Sequence, residues 1–417
     1  MRTRPRMLVL VTTALVGATS ISFLACADSN DGGAPVVDGP DATTADAPER
    51  TDTDSGEEDA SPDVHAYLDA GPVEAGPCTN EGWCQTPLPA DPIAELSHTL
   101  RGVWSDGAGV AWAVSEEGKI LRWDGTTWAI QFSTTTGSLS TIWGRGPTDL
   151  WVGGEGGFWH GEGPTSASIT WTLEDLGEPQ VQIASIWGSA AGDLWAVGKS
   201  TAVYKARAYF RGAADTTWTA DPLSGRTDVA DLTNVWGTND GEVWAIGKIG
   251  FGTLILHRRA LGQPEPIWVD EDPYPDKRSS DPAASYSGLG SIGGTIWAFG
   301  KVNYANAMYW TGVTDPMNGT VAWKRNNWIG MLNSKTDAFS RYAVWGPAPD
   351  DVFTIADRAR INHWDGTAWS TVHITPTSTP VTANLYAMMG RSKDDIWVVG
   401  DNIAIHKVSP RDVKGAK

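Results

Sequence analysis

The side chains able to do chemistry are sparse and evenly spread. Five acids, Asp149, Asp193, Glu242, Asp351 and Asp395, each stand just before a similar apolar run. Seven histidines, His65, His98, His160, His257, His363, His373 and His406, show no H-x-H or H-E-x-x-H spacing. A metal site needs ligands that converge on one point, whereas acids that recur with the repeat described below would be spread around a ring. Their expected role is to accept backbone N–H groups in turns, and no metal site is assigned. Ser, His and Asp are all present, yet no G-x-S-x-G elbow supports a hydrolase nucleophile. No catalytic residue and no cofactor are assigned, and the chain is expected not to be an enzyme.

The three cysteines belong to two settings. Arg2, Arg4 and Arg6 precede a mainly apolar run from Met7 to about Val16, and small residues lead to Phe23-Leu-Ala-Cys26. This is the layout of a secretory signal over residues 1–25, and the run is too short for a spanning helix. Phe23-Leu-Ala-Cys26 resembles a bacterial lipobox, with Phe23 where that pattern usually has Leu and Leu24 where it has a small residue. The resemblance implies lipidation of Cys26, while ordinary cleavage near Ala25 is the alternative. Cys78 and Cys84 frame the loop CTNEGWC, and an oxidising compartment would pair them, two free thiols being the alternative.

Between these settings, residues 26–77 are mostly Asp, Ala, Gly, Pro, Thr and Glu, with Arg50 as the single basic residue. Such a stretch buries too little apolar surface to offset ordering entropy, so a disordered, charge-extended tether is expected. It carries about two-thirds of the formal charge of -19. No clustered basic face is visible, which argues against a nucleic-acid partner.

The elements that must position everything else repeat. The first copy reads Leu100-Arg-Gly-Val-Trp104, Ala111-Trp-Ala-Val114 and Ile120-Leu-Arg-Trp-Asp-Gly-Thr-Thr-Trp128. Further copies start at Ile142-Trp-Gly144, Ile186-Trp-Gly188, Val235-Trp-Gly237, a shortened Ile292-Gly-Gly-Thr-Ile-Trp297, Val344-Trp-Gly346 and Met388-Met-Gly390. A period of some 40 to 55 residues signals a repeat architecture, and each unit reads as four short strands. Runs such as Leu-Trp-Ala-Val are apolar at successive positions, as a sheet covered on both faces requires. Stacked blades provide that cover. The seventh copy stops before its fourth strand, and an unassigned strand surrounds Trp83, so the N-terminal strand is expected to complete the last blade. The predicted fold is all-β, a seven-bladed β-propeller of four-stranded blades over residues 78–408, with 409–417 as a tail.

The pattern I/V-W-G, then D-L/V-W-A-V-G, then I-x-x-W-D-G-T-x-W resembles the Trp-Gly propeller repeats of bacterial surface lipoproteins, common in myxobacteria, and more loosely tectonin repeats. The resemblance implies a protein lipid-anchored to the outer membrane or cell surface, and a monomer is expected. It also implies binding of a surface glycan or envelope protein, a glycan-active hydrolase or lyase being the alternative. Trp123-Asp-Gly-Thr-Thr-Trp128 is also similar to the Asp-box turn of sialidases, but the leading S-x-D-x-G and an arginine triad are missing.

One position breaks the agreement among copies. Just after the second strand stand Glu116, Glu155, Lys199, Lys248, Lys301, Asp357 and Asp401. In a propeller these residues should line one rim, basic over three consecutive blades and acidic over four. Longer connections fall beside the basic arc, and loops on a rigid scaffold commonly carry recognition. The candidate ligand-binding residues are therefore Lys199, Lys248, Lys301, Tyr274 and Tyr304.

Overall fold

The chain divides into two units, Met1–Leu68 and Asp69–Lys417. In the computed structural model the described residues are 78–90, 98–134, 137–238, 241–260, 265–274, 284–302, 306–327, 341–375 and 381–410, with backbone alone for 306, 307, 327, 341 and 342. Cys26, Tyr304, the expected signal and tether, and residues 411–417 of the tail lie outside them.

The described residues form seven antiparallel sheets of four strands. Blade 1 is Leu100–Ser105, Ala111–Ser115, Lys119–Trp123 and Trp128–Ser133, running from the centre of the ring outward. Blades 2 to 6 repeat that order along the chain. Blade 7 takes its three inner strands from Leu385–Ser392, Asp395–Gly400 and Ile403–Lys407 and its outer strand from Trp83–Gln85 at the other end of the chain. Trp83 pairs with Lys407, Cys84 with His406 and Gln85 with Ile405. The ring is thus closed by a strand contributed in reverse chain order, as the incomplete last copy predicts.

Second strands are the core. All five residues of Ala111–Ser115 are buried, because the neighbouring blades cover both faces of each sheet. A ring of aromatic contacts runs through them. The second-strand aromatic of every blade meets the outer-strand Trp of the next: Trp112 with Trp171, Trp151 with Trp218, Trp195 with Trp268, Trp244 with Trp323, Trp297 with Trp369, Phe353 with Trp83 and Trp397 with Trp128. Centroid separations are 5.3 to 6.4 Å, in the range where edge-to-face packing is favourable. The N-terminal strand supplies Trp83 to this ring in place of the missing fourth strand.

The Trp-Gly pairs have a separate cause. A Cβ on Gly188 would lie 2.3 Å from the indole of Trp143, and one on Gly237 would lie 2.6 Å from that of Trp187. The inner-strand Trp of one blade therefore fills the space that the glycine of the next leaves open, and the same holds for Trp104 on Gly144 and Trp345 on Gly390. Blade 5 has Gly290 where the others have a bulky residue, and there the Gly293-Gly294 turn, with φ of 55° and 82°, closes the shortened hairpin.

Entry into the ring is fastened twice. Cys78 and Cys84 form a disulfide. Gly82, at φ +89°, passes so close to the carbonyl of Val408 that a Cβ would stand 2.1 Å from it, and Val408 N–H donates back to Gly82 O. Thr86 Oγ1 donates to Ala404 O and accepts from the indole of Trp128, tying the outer strand of blade 7 to blade 1.

Candidate binding face

Inner strands all start on one face of the ring, the face that also carries the turns between second and third strands. Near its start each inner strand carries a bulge, where the register with the second strand slips by one residue. The extra residues are Arg101, Ser140, Ala184, Thr233, Ser287, Tyr342 and Tyr386. A bulge re-aims a side chain, and Arg101, Ser140, Ala184, Thr233, Ser287 and Tyr386 all line a cavity of about 430 Å³ at the centre of the ring. The mouth is lopsided. Blades 2 to 5 contribute small residues, while the seam between blades 7 and 1 carries the guanidinium of Arg101 stacked 3.7 Å over the ring of Tyr386. Glu116 holds that guanidinium from one side. Tyr386 OH lies 3.2 Å from Asp401, which also accepts from Asn384 at 3.0 Å. Burial, with Asp401 nearby, raises the Tyr386 phenol above its ordinary pKa.

Around this mouth lies the charged rim. Glu116, Glu155, Asp357 and Asp401 follow directly on their second strands, but Lys199, Lys248 and Lys301 lie inside theirs, Leu194–Ser200, Val243–Ile249 and Thr295–Val302. Lys199 faces Gln182 and Lys248 faces Asp231 across the ladder to the inner strand. The second-strand ladder therefore extends further on the three basic blades and lifts their turns. Asp231 is shared: Lys248 Nζ is 3.2 Å and Lys199 Nζ 3.9 Å from the same carboxylate oxygen. The trio of Lys199, Lys248 and Asp231 keeps one net positive charge, fewer than the lysine count suggests.

Two aromatic residues at the tips of these lifted turns are absent from the candidates read in the sequence. Phe251 is 98 % exposed at the tip of blade 4, and Tyr204 is 79 % exposed at the tip of blade 3, where its φ of 52° is left-handed. The two rings stand on the turns of neighbouring blades, beside the rim lysines Lys199 and Lys248. The signal was available: an aromatic residue follows each rim lysine by three to five positions at Tyr204, Phe251 and Tyr304. Tyr274 is placed differently from expectation. It is 8 % exposed in the core between blades 4 and 5, with the Arg325 guanidinium 4.8 Å over its ring. It lines a cavity of about 240 Å³ with Thr253, Asp270, Asp272 and Tyr286 rather than projecting from the rim.

The recurring acids also need correction. Asp149, Glu242, Asp351 and Asp395 each take a histidine from the facing third strand, rather than turn N–H groups alone. His160 lies 2.8 Å from Asp149, His363 2.7 Å from Asp351 and His406 2.8 Å from Asp395, and His257 meets Glu242. Each imidazole stacks on the second-strand aromatic opposite it: Trp151 at 3.8 Å, Trp244 at 3.6 Å, Phe353 at 4.4 Å and Trp397 at 4.0 Å. In blade 3 the facing residue is Phe210, and there Asp193 does accept a backbone N–H, from Ala213 at 2.9 Å. Asp149, His160 and Glu162 bring ligand atoms within 4.8 Å of one another. The acid-imidazole-aromatic stack recurs in blades that lack a third ligand, so its common role is to fasten the hairpin. These stacks lie on the face opposite the rim.

No protein-family model matches the sequence, and no curated protein is similar to it. The likeness is one of fold. YCF48 from Cyanidioschyzon merolae superposes with a TM-score of 0.54 at 17 % identity over 79 % of this chain and 99 % of that one. YCF48 bound to D1 peptide gives 0.55 at 14 % over 80 % and 99 %. Two bacterial proteins follow, of which the propeller matches less than half. The extracellular domain of BT4673 from B. thetaiotaomicron gives 0.51 at 13 % over 79 % of this chain and 40 % of that one. PorZ, a surface component of the type-IX secretion system of Porphyromonas gingivalis, gives 0.51 at 13 % over 73 % and 46 %.

Proposed function

We propose that the chain is an exported, lipid-anchored recognition propeller that binds a surface glycan or an envelope protein through the rim of blades 3 to 5, without chemistry of its own. The observation that carries this reading is the pairing of rim lysines with projecting aromatics, Lys199 with Tyr204 and Lys248 with Phe251, on consecutive lifted turns. Aromatic side chains are enriched in recognition hot spots, and a neighbouring lysine adds a charge that orients an anionic partner. Neighbours in fold support a binding role: one YCF48 structure holds a D1 peptide, and BT4673 and PorZ carry the fold in an extracellular domain and a surface component. Among the described residues no helix is long and apolar enough to cross a membrane, and the lipobox-like Phe23-Leu-Ala-Cys26 supports attachment through Cys26.

Two measurements test the reading. On a glycan and lipopolysaccharide array the full chain is expected to bind a subset of ligands saturably, and K199E/K248E/K301E to weaken that binding at least about tenfold. Binding that the triple variant leaves unchanged removes the site, and turnover of an arrayed glycan removes the non-catalytic part. Mass spectrometry of the mature N-terminus is expected to find an acylated Cys26, and a chain that begins at another residue removes the anchor.

A further inference from the structure

We infer that the partner of this face is a second copy of the chain, paired rim to rim across a two-fold axis; the inference rests on the reading of the rim as the recognition face. Sign and angle around the rim point to it. Lysines occupy the rim position on blades 3, 4 and 5, and acids occupy it on blades 6, 7, 1 and 2. In a ring of seven, blade 4 stands opposite the seam between blades 7 and 1. The basic and acidic arcs are therefore centred on the two ends of one diameter, the arrangement a surface needs to be complementary to itself.

A closed dimer uses the same patch on both copies. Let the two-fold axis lie in the plane of the rim, at right angles to the basic-to-acidic diameter. It then lays the basic arc of each copy over the acidic arc of the other. Two registers satisfy this. In one, Lys199, Lys248 and Lys301 meet Glu116, Asp401 and Asp357 of the second copy, and Glu155 meets its own counterpart on the axis. In the other they meet Glu155, Glu116 and Asp401, and Asp357 lies on the axis. Because the blade number is odd, one acid always faces itself while every lysine faces an acid.

Residues beside the rim fit this occupant. At the ladder ends Lys199, Lys248 and Lys301 outnumber Asp231, the carboxylate that two of them share, and in the turns of the opposite arc Glu116, Glu117, Glu155, Asp357 and Asp401 outnumber Arg101, Lys119, Arg358 and Arg360 by one. Exposed ion pairs are individually weak and set orientation more than affinity. The affinity has a source in Phe251 and Tyr204, which project from the basic half and lose most of their water contact when a second rim closes over them. A projecting tip suits a macromolecular surface better than a small ligand, which needs a concave site. The rest of the domain argues for a specific face: residues 78–417 are net acidic, so two copies repel except where the lysine arc is presented.

The test uses the full chain carrying Cys26→Ser, so that no acyl group mediates association, in sedimentation equilibrium up to about 100 µM. A dimer is expected. K199E/K248E/K301E and E155K/D357K/D401K are each expected to raise the dissociation constant at least about tenfold, and an equimolar mixture of the two to restore a dimer. Y204S/F251S is expected to weaken the dimer with no change of charge, and near-UV dichroism of the Trp ring checks that each variant is folded. A monomer at every concentration overturns the inference, whether the lysines then hold an outside polyanion or this chain's own acidic segment. Dimers that survive both reversals overturn it too. If the chain is a monomer yet binds the array through its lysines, the pairing falls and the recognition reading stands. If it dimerises and the array is silent, the pairing stands and the outside ligand falls.

Discussion

His257 shows what the residue scale decides. It is fully buried between Glu242 and Glu271, stacked on Trp244, and Arg259 reaches the same Glu271. Burial raises the Glu271 carboxyl, but the hydrogen bonds from His257, Arg259 and Trp323 outweigh it, and the group ends below its ordinary pKa. Removing the imidazole takes a partner from two buried carboxylates at once, although Ala260 N–H still donates to Glu242 and Arg259 and Trp323 still donate to Glu271. His257→Ala is therefore expected to lower stability by about 3–5 kcal/mol in urea titrations, whereas His406→Ala, in a partly exposed stack, should cost about 1 kcal/mol. Equal losses would mean that burial does not set the cost. A second prediction concerns the W-D-G-T-x-W turns. Backbone N–H groups of Ala368 and Thr367, with the Thr367 hydroxyl, hold Asp365 at about 2, and Thr127 and Thr126 do the same for Asp124. A carboxyl whose folded pKa is depressed stabilises above its unfolded value and loses that contribution as pH falls through the folded one. The difference in melting temperature between the native chain and Asp365→Ala should be constant above about pH 5 and close between about pH 4 and 2. A gap that widens in acid contradicts the turn's role.

Elements explain what the sequence made legible. Blade number, the reversed closing strand and the sharpened hairpin of blade 5 follow from repeats that can be laid over one another, because each copy must bury the same faces. The histidine stacks were hidden because their partners face each other across a hairpin, eleven to fifteen residues apart, a separation that varies with hairpin length and so forms no fixed motif. The bulges were hidden because a slipped register leaves no residue signature of its own, so the channel-lining set was invisible although every member was in plain view. Rim lysines were found by their disagreement in sign, while Asp231, two residues before the bulge of blade 4, was not. Closure gives the element-scale prediction. Trp83 is 1 % exposed and completes the aromatic ring against Phe353, so Trp83→Ala should cost about 3–5 kcal/mol. The disulfide spans a short loop, and C78S/C84S should cost about 2 kcal/mol by chain entropy. A disulfide variant weaker than the Trp83 variant would show that the bond, and not the indole, closes the ring.

At the scale of the molecule, a closed ring has no terminal blade. Open repeat arrays fray from their ends and lose cooperativity as they lengthen. The native chain should therefore unfold in one calorimetric transition, with calorimetric and van't Hoff enthalpies that agree. A chain that lacks residues 1–86 bares the edge of Ile403–Lys407 and the side of blade 6 that Trp83 covers, and should melt earlier in a broader or divided transition. A single transition at an unchanged temperature would mean that three residues of strand do not hold the ring.

The bond between Cys78 and Cys84 also sets how the ring takes a mechanical load. The outer strand of blade 7 is three residues long, and Cys84 is its middle one. A pull on the chain upstream of Cys78 bypasses the loop to Trp83 and reaches the strand at Cys84, so the ladder cannot be peeled from its first pair, Trp83 with Lys407. Tension is delivered to the seam on the face away from the rim, at the outer edge of the blade. A propeller held this way can be pulled through the chain ahead of Cys78 while the opposite rim stays undistorted.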